Sequence, residues 1–381
     1  MTLEPSTSSL LHPPSLFMFH YDPPEFGDLR SLLQHPPSET TWQAICKLLD
    51  RWEEQELRVQ VIPYLDANLR RWPDTLLLAT PSWLDLKLAG AEVASWELVR
   101  GISCEGRVMD YTLCQALNQD LITPQISTLS LRHTHIGHQE LESFVASDAQ
   151  RHLRHLDWSQ TPLDGQHLEI FSNAQNYELL EVLRLNDTPL GNDALEALSG
   201  AASFTSLRHL EMRNTRAGLL GLEHFVNAPF LGQLEHLDLS DNHFGRRGLE
   251  ILTAINYLPS IKTLHLDHCL LRASGVKALE GASPLPTLTQ LSLTHNQLKS
   301  EGLYTLAQSP WMASITHLDL SYNRIGDDGV AALLDSPHLE NLTHLSMHWN
   351  PVTQRTADLL LERGIDHDLS EEDWRVSRRL Y

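Results

Sequence analysis

Nine times between Ile126 and Leu360 one spacing of apolar residues returns at an interval of 27, without insertion or deletion. Units open at Ile126, Leu153, Leu180, Leu207, Leu234, Ile261, Leu288, Ile315 and Leu342, and the fourth position of each is Leu129, Leu156, Leu183, Leu210, Leu237, Leu264, Leu291, Leu318 or Leu345. A fixed period of this size dictates a stack of identical units, because one unit cannot bury its own apolar face and needs a neighbour on each side. Length alone would have suggested two or three separate domains; the period replaces them with one array.

The unit opening at Ile315 shows the local logic. Alternation around Leu318 and Leu320 has period two, as in a short strand with one buried face. Asn323 then turns the chain, and its amide suits backbone groups of the adjoining turn, so a polar ladder can stand inside an apolar stack. That ninth position reads Thr134, Thr161, Thr188, Thr215, Asn242, Cys269, Asn296, Asn323 and Asn350 down the array. Beyond the turn the period becomes helical, with one apolar column from Leu141 to Ala357 and another from Phe144 to Leu360. Asp327-Asp328 and Ser300-Glu301 place capping or acidic groups at the helix start, and Pro229, Pro310 and Pro337 end the helix at a shared position.

This residue pattern resembles leucine-rich repeats, and the long unit with Gly221, Gly248, Gly275, Gly302 and Gly329 opening a helix resembles the ribonuclease-inhibitor subclass. The resemblance covers residues 126–361 closely and 99–125 loosely, where Val99, Ile102, Cys104, Met109, Cys114 and Leu117 continue the apolar columns. It implies an α/β solenoid, a horseshoe with a concave parallel β-sheet and convex α-helices. It implies no reaction, since one architecture hosts many functions.

The flanks differ in composition. Residues 1–38 hold seven prolines among Ser-rich stretches and read as a disordered tail, apart from an apolar cluster at Leu16-Phe17-Met18-Phe19. Residues 39–98 read as a helical N-terminal cap introduced by Ser38, with Trp42, Ile45, Leu48, Leu49 and Trp52 at helical spacing and a second helix over 57–71. Five of the nine tryptophans (Trp42, Trp52, Trp72, Trp83 and Trp96) lie there, as core or as a Trp-lined pocket. The array extends over 99–365, and residues 366–381 are expected to form a capping helix signalled by Ser370-Glu371-Glu372-Asp373.

Composition narrows the function. A formal charge of -21 disfavours nucleic acid and anionic membrane, which attract basic stripes. No apolar run reaches a membrane span and no secretory leader pattern is evident, so a cytoplasmic protein with reduced thiols is expected. A Gly-rich phosphate loop and a Gly-x-Ser-x-Gly elbow are both missing from the sequence, so no enzyme activity and no cofactor are expected.

The concave surface follows from the register as the third, fifth, seventh and eighth positions of each unit. These positions hold ten of the 21 histidines, seven acids, three arginines and no lysine, a charge of 3 minus 7, or -4, with neutral histidines and +6 with all ten protonated. Histidine titrates near pH 6.5, so this face is expected to change sign between about pH 5 and 8. Strand neighbours bring Asp238 beside His265 and line Asp241, His268 and His295 in a row with Asp267 close by, arranged either as a metal or acid–base site or as plain solvated surface. Tyr322 and Trp349 are exposed neighbours at the C-terminal end, with His317, Asp319, His344 and His348 around them. Exposed aromatics mark interfaces. The leading expectation is a monomeric scaffold that binds a protein partner on this face. A regulator resembling Ran-type GTPase activators and a substrate-recognition subunit of a ubiquitin ligase are the alternatives.

Overall fold

A computed structural model describes residues 24–253 and 258–369. Eleven short parallel strands form one sheet whose spatial order is the chain order, from Gly101–Ser103 to Asp366–His367. Pairing joins residues one unit apart: Ile102 with Leu129, Leu156 with Leu183, Leu237 with Leu264 and Leu318 with Leu345. The degenerate unit at Val99 therefore supplies the first strand, and its Cys104 and Cys114 are buried as small apolar groups.

A helix follows each of the first ten strands, as in His138–Val145, Gly165–Ser172, Lys299–Ala307 and Asp327–Leu334. Both apolar helical columns are buried against the strand leucines. The glycine column has a spatial cause. A Cβ on Gly221 would come within 2.9 Å of the Asn192 backbone, and one on Gly329 within 3.0 Å of Ser300 Cα. The helices of adjacent units touch there, and only glycine lets them approach.

The polar ladder is present and reciprocal. Asn323 Nδ2 donates to the carbonyls of Leu293 (2.8 Å) and Leu320 (3.0 Å), while its Oδ1 accepts from the N–H groups of Asn296 (2.9 Å) and Leu298 (3.2 Å). Asn242, Asn296 and Asn350 repeat this bonding in their own units. Threonine does less: Thr161 Oγ1 reaches the Leu131 carbonyl (2.9 Å) but offers nothing for two N–H groups at once.

At the N-terminal end, Ser38 caps helix Glu39–Leu49 through the Thr41 N–H, and the cap closes the open sheet edge through a bridge from Leu78 to Gly101. Trp42, Trp83 and Trp96 are core residues, with Trp42 Nε1 donating to the Leu78 carbonyl (2.8 Å) and Trp83 Nε1 to Asp50 (2.8 Å), so the Trp-lined pocket gives way to packing.

Two boundaries need correction. Part of the expected tail is folded: helix Pro24–Leu32 buries Phe26 and Leu29, with Phe26 packed on Trp52 (4.9 Å between ring centroids) and Tyr64 (5.7 Å). Phe26 and Leu29 stand three apart on one helix face, a stripe that the proline count obscured. At the other end, residues 366–367 form an eleventh strand beside His344–Ser346, where a helix was expected to begin. The Leu16-Phe17-Met18-Phe19 cluster and the Ser370 capping signal lie outside the described residues.

Candidate interaction surface

The third, fifth and eighth positions line the concave face as the register requires. The seventh does so only in part, because Ser159, Ser240 and Ser321 are buried. The Ser159 and Ser240 hydroxyls turn inward to serve the next unit, accepting from the Asn186 N–H (3.2 Å) and the Asp267 N–H (3.1 Å).

The eighth position has a conformation that spacing could not reveal. His133, Gln160, Asp187, Asn214, Asp241, His268, His295, Tyr322 and Trp349 all have positive φ, between 52° and 58°. The chain must leave the strand and send residue nine inward within two residues, which requires a left-handed turn. Asn, Asp and His tolerate this region; for Tyr and Trp it is a strained conformation costing about 1–3 kcal/mol.

That geometry aligns rings. His268 and His295 lie 5.6 Å apart, His295 stacks on Tyr322 at 4.0 Å with planes 18° apart, and Tyr322 stacks on Trp349 at 5.5 Å and 16°. Tyr322 is 41% exposed and Trp349 48%. Asp241 heads the row, bonded to His268 Nδ1 (2.9 Å) and paired with Arg213 (2.6 Å).

The fifth-position residues form a second, deeper group. Asp238 and His265 face one another at 3.9 Å, and Asp238 Oδ1 accepts from the Ser240 N–H (2.8 Å). Burial works to raise Asp238, yet hydrogen bonds from His265 and Ser240 outweigh it and hold the carboxyl below the usual range; the same carboxylate lifts His265. Asp267 accepts from Ser292 Oγ (2.5 Å) and the Thr294 N–H (2.8 Å). Burial pushes Asp319 up, with Asp267 and Asp368 adding to the effect. His317 stacks on His344 (5.4 Å), and His348 Nε2 lies 3.2 Å from Asp368. Arg213, His265, Asp267, His317, Asp319 and His344 line an open cleft of about 400 Å³.

A single sign reversal of the whole face is not what this geometry supports. Burial pushes His155 down, and His236 down to about 4, while Asp238 pushes His265 up, so these three do not titrate together. The row of Asp241, His268 and His295 does not converge on a point either, because His295 is turned onto Tyr322.

Charge divides the face in two. From Thr128 to Asn214 the concave positions hold three arginines (Arg132, Arg184, Arg213) that balance three acids (Asp157, Asp187, Glu211). Arg184 binds Glu211 (2.9 Å), whose carboxyl burial works to raise but which His209, Arg184 and Asn186 bring down to about 2. From His236 to Trp349 the concave positions hold Asp238, Asp241, Asp267 and Asp319 with no Lys or Arg.

The Leucine Rich repeat family model matches this chain at residues 234–252, 285–307 and 312–334, each a strand, its turn and the helix that follows. The fold is a leucine-rich-repeat solenoid. Among solved structures, the array is similar to TLR13 in its complex with ssRNA13 (18% identity, TM-score 0.42), covering 74% of this chain and 40% of that one. The chain therefore spans less than half the length of that neighbour. It is also similar to a Bacteroides fragilis protein (15% identity, TM-score 0.39; 68% of this chain and 70% of that one). No curated protein sequence matches the chain. No helix among the described residues of this leucine-rich-repeat solenoid is long and apolar enough to cross a membrane.

Two convergent groups went unnoticed in the sequence. His209, Glu211 and His236 gather on the concave face, and His138, Asp164 and His167 at the starts of two convex helices. The first was visible as separate entries in the third and fifth columns. The second had one sequence signal, Asp164 and His167 at the capping-box spacing.

Proposed function

We propose that this solenoid is a non-enzymatic scaffold of the ribonuclease-inhibitor-like subclass that holds a basic partner protein against the C-terminal half of its concave face. The observation that carries this reading is the row His268–His295–Tyr322–Trp349: stacked rings on strained backbone, beside four carboxylates of which Asp241 alone is paired with an arginine, Arg213. Strain kept at exposed aromatics makes sense where the rings have work to do. Aromatic faces beside carboxylates suit arginine, whose guanidinium stacks on a ring and hydrogen-bonds an acid at once. Phosphate-rich nucleic acid would meet a net negative charge on the same surface.

The four cysteines are free and buried, which suits a reducing compartment such as the cytoplasm, and a monomer leaves the concave face open to the partner. No residue pattern favours the GTPase-regulator or ubiquitin-ligase readings over this one.

Affinity capture with wild type beside a Tyr322→Ala/Asp319→Asn double variant tests the proposal, at low and high salt. The expected result is a partner of high isoelectric point whose capture falls with salt and drops at least tenfold with the variant. Equal capture by both proteins would remove this patch from consideration.

A further inference from the structure

His138, Asp164 and His167 form a cluster that the interaction surface does not use. His138 is the first residue of helix His138–Val145, Asp164 is the N-cap of helix Gly165–Ser172, and His167 is its third residue. They come from two adjacent units and from three different repeat positions.

Their ligand atoms lie within 4.8 Å of one another. His167 Nδ1 is 2.7 Å and His138 Nε2 is 3.2 Å from the same oxygen, Asp164 Oδ1. The two rings are 4.1 Å apart between centroids. The His167 side chain is only 8% exposed, and its far nitrogen, Nε2, donates to the Ile136 carbonyl at 3.0 Å. With the proton on Nε2, a neutral His167 ring presents a lone pair at Nδ1, which takes the Asp164 N–H (3.2 Å) in the capping box and lies against the carboxylate oxygen. That close approach calls for positive charge, either a proton on Nδ1 or a metal ion. A second imidazole nitrogen, His138 Nε2, converges on the same oxygen. One shared ion would serve both nitrogens and the carboxylate at once.

The surroundings agree with an ion. The Glu140 carboxylate packs over Gly137 and the Asp193 side chain over Gly165, the residues next in sequence to His138 and Asp164. The two helix N-termini oppose a cation, but only weakly beside direct ligand bonds and a carboxylate in contact. His138 is partly exposed and leaves a way in. The concave trio of His209, Glu211 and His236 lacks this fit, because Glu211 is already engaged by Arg184, Asn186 and His209.

We propose that His138 Nε2, Asp164 Oδ1 and His167 Nδ1 bind a divalent transition metal of the zinc class, clamping the first two complete units together. Two imidazoles and one carboxylate are the donor set such ions take, and a backbone carbonyl holding the far nitrogen of a ligating histidine is its usual support. Water would complete the shell on the exposed side. The role is structural, joining the helix starts of two adjacent units.

The test uses full-length, tag-free protein, Zn2+ by titration calorimetry, and Co2+ absorption as a second readout. His138→Ala is the main variant because it lies outside the Asp164/His167 capping box and leaves that helix start intact. The expected result is one tight equivalent of Zn2+ (Kd of about 1 µM or below), a rise in thermal midpoint with metal, and at least a tenfold loss of affinity in His138→Ala. His209→Gln, in the rival trio, should bind as wild type does. Wild-type binding weaker than about 100 µM, unchanged binding in His138→Ala, or loss in His209→Gln would each overturn the proposal. Should His138→Ala unfold, His167→Gln with a Co2+ spectrum of wild-type form would overturn it in the same way.

Discussion

Asn323→Ala tests whether the buried amide ladder holds the units together. Asn323 is fully buried. Truncation leaves the N–H groups of Asn296 and Leu298 without their acceptor, and the Leu293 carbonyl without its donor. The Leu320 carbonyl keeps a partner, because Asn350 Nδ2 also reaches it (2.8 Å). Three orphaned buried groups at about 1–2 kcal/mol each give an expected loss of about 3–6 kcal/mol. Asn323→Thr should recover part of this, since a hydroxyl can serve the Leu293 carbonyl as Thr161 serves Leu131 (2.9 Å). The two N–H groups stay orphaned, so about 2–4 kcal/mol remains lost. Asn227→Ala is the control: its amide contacts are exposed and long (3.3 and 3.4 Å), and the expected change is within about 0.5 kcal/mol. Urea unfolding followed by circular dichroism ranks the four proteins. An Asn323→Ala protein within about 1 kcal/mol of wild type, or a Thr variant no better than Ala, would refute the argument that the amide is needed for its two-sided bonding.

Leu237→Ala and Leu264→Ala should each cost about 2–5 kcal/mol as fully buried deletions, read from the same urea curves; unchanged midpoints would break the register. Tyr322→Asn should leave the unfolding midpoint unchanged or raise it by about 1 kcal/mol, because Asn accepts positive φ, while partner capture drops; a loss of stability would show that the ring is structural. His236 sits at about 4 in the fold against 6.5 in the open chain, so on acidification the unfolded chain takes up the proton first. Stability should therefore fall by up to about 3 kcal/mol between pH 6.5 and 4, at about 1.4 kcal/mol per pH unit, and a His236→Phe variant should flatten that slope. Burial pushes Cys46 and Cys104 up to about 12 and Cys114 up to about 11, so the native protein should resist a thiol reagent at pH 8 and react fully in urea; rapid labelling of the native state would contradict that burial.

Most of the scaffold was legible without coordinates. A strict period forces equivalent residues into parallel columns, so the buried leucines, the inward asparagines and the concave identities of Asp238, His265, Tyr322 and Trp349 all follow from counting. Counting fails where a contact joins different columns or lies outside the period. Helix Pro24–Leu32 depends on a Phe and a Leu finding Trp52 and Tyr64 far along the chain. The closing strand pairs residues 22 apart, His344 with Asp366, not 27.

The eighth-position turn and the His138–Asp164–His167 cluster are the clearest cases. A column places its members side by side, pointing the same way, so no column by itself makes ligands converge. Convergence came from a helix cap in one unit meeting a helix start in the unit before, at offsets of 26 and 29 residues. The left-handed φ at Tyr322 and Trp349 is likewise set by the need to turn residue nine inward, whatever side chain residue eight carries. One-dimensional order decided which residues stack on which. The close approach of adjacent coils decided which of their atoms meet.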